Sequence, residues 1–454
     1  DPTTKAEAAI SQIALYNIVE GLTRISEAGA VGPGLATSWT ADAARKVYTF
    51  KLLSGVKFSD GTTFDSADVK FTYERNAGEK STNKRKKRFI NMASVEAPDA
   101  TTVKITLKNA NPNLAFEMGE STAVIVGPES AAGNETNPVG TGPYKVSKWV
   151  RGDSVTLVKQ DHYRDAGSIK LSKVTFKFMS DPSAQMAALR AGDIDFFPYF
   201  GSPESVDQFK ADKDFEVLEG TTEGEVILST NNKSPIMSDV RVRQAVAYAI
   251  DRQAIVDGAM FGFGTPIGSH MAPHNPAYVD LTGAFAYNPA KAKALLKEAG
   301  HGNGVTVSLK LPPPAYARRG GEIIAAQLAK VGITAKIEPV EWAQWLDQVY
   351  KKRNYDLSIV MHVEPNDIGK YADPKYYFQY DSKEFQDIIK IADTTLDPAE
   401  RKSALQAAQR KISADAVNGF LFQGAKITVM RKGLQGVWAN SPMFVNDLAA
   451  ISWK

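Results

Sequence analysis

NKSPIMSDVRVRQAVAYAIDR, residues 232–252, decides how this chain is read. Ser238 or Asp239 offers an oxygen to an orphan N–H at a helix start. Val242, Ala245, Val246 and Ala249 then recur at i, i+3, i+4 and i+7 and form one buried stripe. Arg241, Arg243 and Gln244 fall off that stripe, and Asp251 caps a second short helix running to about Asp257. Physics alone describes a capped helix hairpin.

Downstream, helices and strands alternate. Asn288 caps a helix with Pro289 at its first position, a stripe of Ala292, Leu295, Leu296 and Ala299, and Gly300 as its stop. Val305, Val307, Leu309 and Leu311 read as a strand. Ile324, Leu328 and Val331 read as a helix stopped by Gly332, and Ile333, Ala335 and Ile337 as the next strand. That rhythm predicts an α/β lobe with a central sheet. Upstream, Ile13, Tyr16, Asn17 and Glu20 suit a helix that breaks at Gly21. Tyr48, Phe50 and Leu52 alternate as a half-buried strand, and Asp65 or Ser66 caps a helix through Arg75. Val103, Ile105 and Leu107 alternate again, so 36–145 reads as a small α+β lobe. Asn137-Pro-Val-Gly-Thr-Gly-Pro-Tyr144 closes it, because two prolines and two glycines continue neither a helix nor a central strand. Strands follow at 154–159 and 173–178, then a helix from Ala184 to Ala191 closed by Gly192.

The 454 residues exceed one compact core, which points to two or three lobes. With 43% hydrophobic and 23% charged residues the composition is that of an ordinary globular protein. Fifty-four basic residues against fifty-one acidic ones give +3, too near balance for a nucleic-acid partner. No apolar run approaches the roughly 18 residues needed to span a bilayer. The absence of cysteine removes disulfides, thiol catalysis and Cys-based zinc sites, and suits export to an oxidising compartment. The chain opens at Asp1 with no basic or apolar leader, as a processed form or a protein without a signal would.

The wording of 232–252 resembles the "DVRVRQAxxYAIDR" signature of the peptide/nickel class of bacterial extracellular solute-binding proteins, the oligopeptide/dipeptide-type receptors of ABC importers. In the family's order the chain also carries PGLATSW (33–39), YTFKLLSGVKFSDGTTFDSADVKFTYER (48–75), NPVGTGPYKV (137–146), AGDID (191–195), YNPAKAKALLKEAG (287–300) and AAQLAKVGITAKI (325–337). The resemblance implies a type II-like periplasmic-binding-protein fold: two hinged α/β lobes with an additional small α+β domain. Domain I would comprise 1–35, 146–231 and 432–454, domain II 36–145, and domain III 232–431. It also implies a strand ahead of Asp1, a location in the periplasm, a monomer, and membrane permease and ATPase subunits as partners. The expected mechanism is solute capture by closure of the two lobes, without a cofactor or bound metal.

Peptide-binding relatives draw on a tryptophan after the "GI" strand and on an acidic segment after a "(Y/F)D" strand, whose aspartate pairs with the ligand's amino group. The matching positions here are Trp342 and MHVEPNDIGKY, 361–371. His362 stands where an aromatic often lies, and Glu364 or Asp367 would meet the ammonium. Trp345, Tyr350, Tyr371 and Glu225 complete the candidate ligand set, though Trp345 reads equally well as core. Of Tyr376, Tyr377, Phe378 and Tyr380, at most one or two are expected to line a pocket. His270 and His274 in GSHMAPH have a spacing that a metal would accept, but with no nearby carboxylate cluster a surface loop is expected. KRKKR at 84–88 is read as a solvated excursion, and Arg318 and Arg319 as preceding a helix, either holding a carboxylate or facing solvent.

The sequence contains no Gly-x-Ser-x-Gly, His-Glu-x-x-His, P-loop or dinucleotide fingerprint, so an enzyme is not expected. Short peptides or amino-acid conjugates lead the expected solutes, since an acid and aromatic walls suit an ammonium-bearing ligand. Oligosaccharides or opine-like sugar conjugates come next, and a metal chelate third. A ligand-sensing domain for a signalling partner is the rival of another class.

Overall fold

The computed structural model describes residues 1–5, 8–364 and 367–454, which divide into two compact units. The first comprises Asp1–Pro198, Lys213–Glu216 and Thr428–Lys454. The second comprises Tyr199–Asp212 and Val217–Ile427. Among the described residues, no helix is long and apolar enough to cross a membrane.

In the first unit, Ala36–Ala41, Val47–Leu52, Thr102–Leu107 and Met92–Asp99 form an antiparallel four-stranded sheet in that order. Its alternating residues Tyr48, Phe50, Val103 and Ile105 are buried in one cluster with Val69 and Tyr73 of the helix Ser66–Ala77. Asp65 caps that helix and Asp68 returns a carboxylate to the Asp65 N–H, a capping box. Tyr144–Val150, Ser154–Lys159 and Lys173–Lys177 make a separate three-stranded sheet. The Pro/Gly crossing ahead of it lies against residues 17 and 18. A Cβ on Gly140 would stand 2.0 Å from the Ile18 carbonyl oxygen, so only glycine fits.

Two expectations for this unit are corrected. The N-terminal helix covers only Ala8–Ala14; Tyr16 has φ +64° and Glu20 is a buried anchor, accepting both Arg164 guanidinium nitrogens at 2.7 Å and the Thr141 hydroxyl at 2.9 Å. Tertiary hydrogen bonds outweigh the helical spacing there. Nor is KRKKR wholly a solvated excursion. Arg88 is only 10% exposed in its side chain and pairs with Glu117 at 3.0 Å and with Glu120.

In the second unit a mixed sheet runs in the order 419–427 of the strand Gly419–Arg431, 217–230 of the strand Phe215–Thr230, Leu357–His362, Val305–Leu311, Ile333–Pro339. The last three pair in parallel and Phe215–Thr230 is antiparallel to Leu357–His362. Strand alternation builds two cores. Val226, Leu228, Leu357 and Ile359 pack with the helices Val240–Ala249, Arg252–Met260, Pro289–Glu298 and Ala315–Ala329. Ile227 and Val360 share the other core with Trp345, Tyr371, Tyr377 and the helices Lys383–Thr394 and Pro398–Ala414. The opening signature behaves as read: Asp239 caps its first helix, Asp251 caps its second, and the stripe from Val242 to Ala249 is buried. Arg318 and Arg319 lie inside a helix, not before one. Arg318 donates to the Pro312 and Val340 carbonyls, and Arg319 pairs with Glu204.

Candidate functional site

Every sequence-predicted ligand residue falls in the second unit, and the strand register explains half of the arrangement. Glu225 pairs with His362, and Ser229 with Ser358, so all four project from the same face as Ile227 and Val360. A helix follows the edge strand Ile333–Pro339: Trp342–Trp345 is α-helical and Leu346–Lys351 continues as π-helix. Such wide turns recur at functional sites. Along this helix Trp342, Leu346 and Tyr350 face outward, 41%, 46% and 41% exposed. Trp345 turns inward instead. It is 5% exposed, donates its indole N–H to the Ser358 hydroxyl at 2.9 Å, and stands against Tyr377 at 5.6 Å between ring centres. Trp345 therefore belongs to the core, and the exposed aromatic face belongs to Trp342 and Tyr350.

The segment 361–371 contributes differently at each position, with 365 and 366 outside the described residues. Asp367 is buried, and both its oxygens are taken. Oδ1 lies 2.5 Å from His270 Nε2 and Oδ2 lies 2.7 Å from His362 Nδ1. The far nitrogens of the two imidazoles meet tyrosines: His270 Nδ1 is 3.2 Å from the Tyr371 hydroxyl, and His362 Nε2 is 2.8 Å from that of Tyr377. Asn418 donates its amide to the Tyr371 oxygen at 2.8 Å. Burial pushes both phenols far above their ordinary range, so they stay protonated. The donors then fall in one order: each hydroxyl donates to an imidazole, and each imidazole donates to Asp367. Burial alone would raise the Asp367 carboxyl, but the two imidazoles hold it well below the usual carboxylate range. Burial lowers His270, with Asp367 opposing.

Glu225 stands beside this network, 4% exposed, with Oε2 making no hydrogen bond. Burial, and next the negative charge of Asp367, push its carboxyl well above the ordinary range. Glu364 is placed otherwise: its side chain is 40% exposed and reaches Lys370 at 3.8 Å. Its charge bears on Tyr350, whose phenol is raised first by burial and next by Glu364. Of the two carboxylates expected to meet an ammonium, Asp367 is closed off by imidazoles, while Glu364 lies at the surface near the aromatic face.

The sequence reading missed His270, Tyr377 and Asn418 as network members. His270 was expected in a surface loop; that is corrected, since residues 267–272 are buried and His270 is 2% exposed. His274 remains exposed and bonds Glu223 at 2.6 Å, so the two histidines of GSHMAPH do not converge. The carboxylate that His270 meets lies 97 residues away, where no local spacing reveals it. In the aromatic run, Tyr377, Phe378 and Tyr380 are buried, so they pack rather than line a surface.

The profile of bacterial extracellular solute-binding proteins, family 5, matches residues 30–387. The glutathione-binding protein GsiB of Escherichia coli K12 is 29% identical, over 95% of this chain and 88% of its own length. Among solved structures, the binding protein AgaA from A. tumefaciens R10, in complex with agropinic acid, superposes with a TM-score of 0.85 at 28% identity, over 97% of this chain and 93% of that one. A dipeptide-binding protein from Pseudoalteromonas sp. SM9913, in complex with Met-Leu, reaches a TM-score of 0.90 at 21% identity, over 100% and 97% of the two chains, which shows the shared fold. A two-unit α/β chain, the ordered motifs from 33 to 337 and a profile match across most of the length agree: this chain belongs to the family 5 bacterial extracellular solute-binding proteins.

Proposed function

We propose that the solute is an amino-acid conjugate or short peptide carrying a free ammonium, held against Trp342, Leu346 and Tyr350 with Glu364 as the charged partner. The observation that carries this reading is the outward aromatic face on the wide-turned helix 342–351, with a surface carboxylate whose charge reaches Tyr350. A contiguous patch of exposed apolar side chains marks an interaction surface, and an aromatic face beside an acid suits a cationic, partly apolar ligand. The relative named for glutathione and the structure in complex with agropinic acid support the same class. Tyr377, hydrogen-bonded to His362, stands against both Tyr350 and Trp345, and Trp345 supports Trp342 with ring centres 5.8 Å apart. We place the protein in the periplasm as the monomeric, non-catalytic receptor of an ABC permease and ATPase. The four-stranded sheet and its helix, all within 36–145, support the small lobe expected there.

Native mass spectrometry of the protein as purified reports the mass of any retained solute. Titration calorimetry with glutathione, dipeptides and their N-acetylated forms then tests the ammonium. N-acetylation and Glu364→Gln should each weaken binding at least tenfold, about 1.4 kcal/mol. Equal affinity for acetylated and free ligands would refute the reading.

A further inference from the structure

The buried group formed by His270, His362 and Asp367 is chemically unusual for a protein interior. Its three ligand-type atoms lie within 4.8 Å of one another, although they come from two distant segments of the chain. Two imidazole nitrogens and a carboxylate are the donor set of a zinc-type site. The outer contacts also fit. Each imidazole's far nitrogen is held by a tyrosine hydroxyl, an outer contact that fixes the orientation of the ring. A hydroxyl both donates and accepts, so Tyr371 and Tyr377 can reverse their hydrogen bonds and take an N–H from the far nitrogen. The near nitrogens then present lone pairs to a cation. A second feature points the same way. Glu225 lies directly across the strand pair from His362, is buried, and has an Oε2 without a hydrogen-bond partner. Cross-strand neighbours stand about 5 Å apart at Cβ, within reach of a shared ion.

We propose that His270, His362 and Asp367 bind one borderline first-row divalent cation of the zinc class, with Glu225 as the adjoining carboxylate. Two nitrogen donors disfavour magnesium and calcium, which take oxygen ligands. The ion would replace the hydrogen bonds that now join the two imidazoles to Asp367 and would tie GSHMAPH to the 361–371 segment. The proposal is independent of the solute reading, because it concerns side chains buried in the second unit.

The test uses the full chain, stripped with a chelator and dialysed, with no solute added. Titration with zinc chloride should show one equivalent bound with a Kd below about 1 μM, or roughly 8 kcal/mol. Cobalt(II) chloride should give visible ligand-field bands. His362→Gln and His270→Gln should each weaken zinc binding at least 100-fold and abolish the cobalt bands. His274→Gln, which alters the exposed imidazole of the same loop, should change neither. Circular dichroism checks that the variants are folded. If His270→Gln fails to fold, the wild-type titration and His362→Gln, at the less buried imidazole, still decide. Less than half an equivalent bound by the wild-type chain at 10 μM zinc, or a folded His362→Gln that binds as the wild type does, would overturn the proposal. Solute binding measured in excess chelator stands or falls separately.

Discussion

Replacing Trp345 and Trp342 in turn separates packing from binding on a single helix. Trp345 is 5% exposed and touches Trp342, Tyr350 and Tyr377, with ring centres 5.8, 6.3 and 5.6 Å away. A tryptophan buries about 150–250 Å², so at about 25 cal/mol per Å² its removal forfeits roughly 4–6 kcal/mol. Measured truncations of large aromatics cost about 3–5 kcal/mol. The indole N–H to Ser358 adds about 1 kcal/mol, while Ser358 keeps its own bond to the Lys310 carbonyl at 2.7 Å. Trp345→Ala should therefore destabilise the second unit by about 4 kcal/mol, and Trp345→Phe by about 1–2 kcal/mol. Trp342→Ala, at an exposed position, should cost less than about 1 kcal/mol yet weaken solute binding at least tenfold. Urea unfolding followed by circular dichroism, beside calorimetry with the solute found by mass spectrometry, reads both effects. At a slope of about 2–3 kcal/mol/M the midpoint should fall by more than about 1 M for Trp345→Ala. A Trp345→Ala midpoint close to the parent's, or a Trp342→Ala loss above about 2 kcal/mol with unchanged affinity, would refute the division of roles.

Two further outcomes follow from the first unit. Burial raises the Asp68 carboxyl to about 6 from an ordinary 3.8, so the folded state binds more protons in that window; the stability it contributes is full below pH 3.8 and is lost as pH rises through about 6. Asp68→Asn should then raise stability above pH 6 by about 1 kcal/mol after solvent screening, with no gain below pH 4, measured by urea unfolding at both pH values. Gly140→Ala forces a Cβ against the Ile18 carbonyl and should cost more than about 3 kcal/mol, whereas Gly167→Ala, with nothing within 4 Å, should stay within about 0.5 kcal/mol; thermal unfolding compares the two.

What the sequence determined by itself was local and periodic. The caps at Asp65, Asp239, Asp251 and Asn288 were readable because each side chain meets an N–H only a few residues away. The strands at 47–52, 102–107, 305–311 and 333–337 were readable because a period of two survives wherever one face is buried. The order of motifs from 33 to 337 also sufficed to place the family. Tertiary structure decided the rest. It ended the expected helix stripe Ile13-Tyr16-Asn17-Glu20 at Ala14 and made Glu20 an anchor for Arg164, because a buried bidentate ion pair outweighs helical spacing. It sent Trp345 into the core and Trp342 outward, a choice that rests on which face meets the Ser358 strand. It also carried His270 from an expected surface loop to a buried carboxylate 97 residues away. Hydrogen bonds between distant segments leave no period in the sequence, so the network around Asp367 exists only once the second unit has folded.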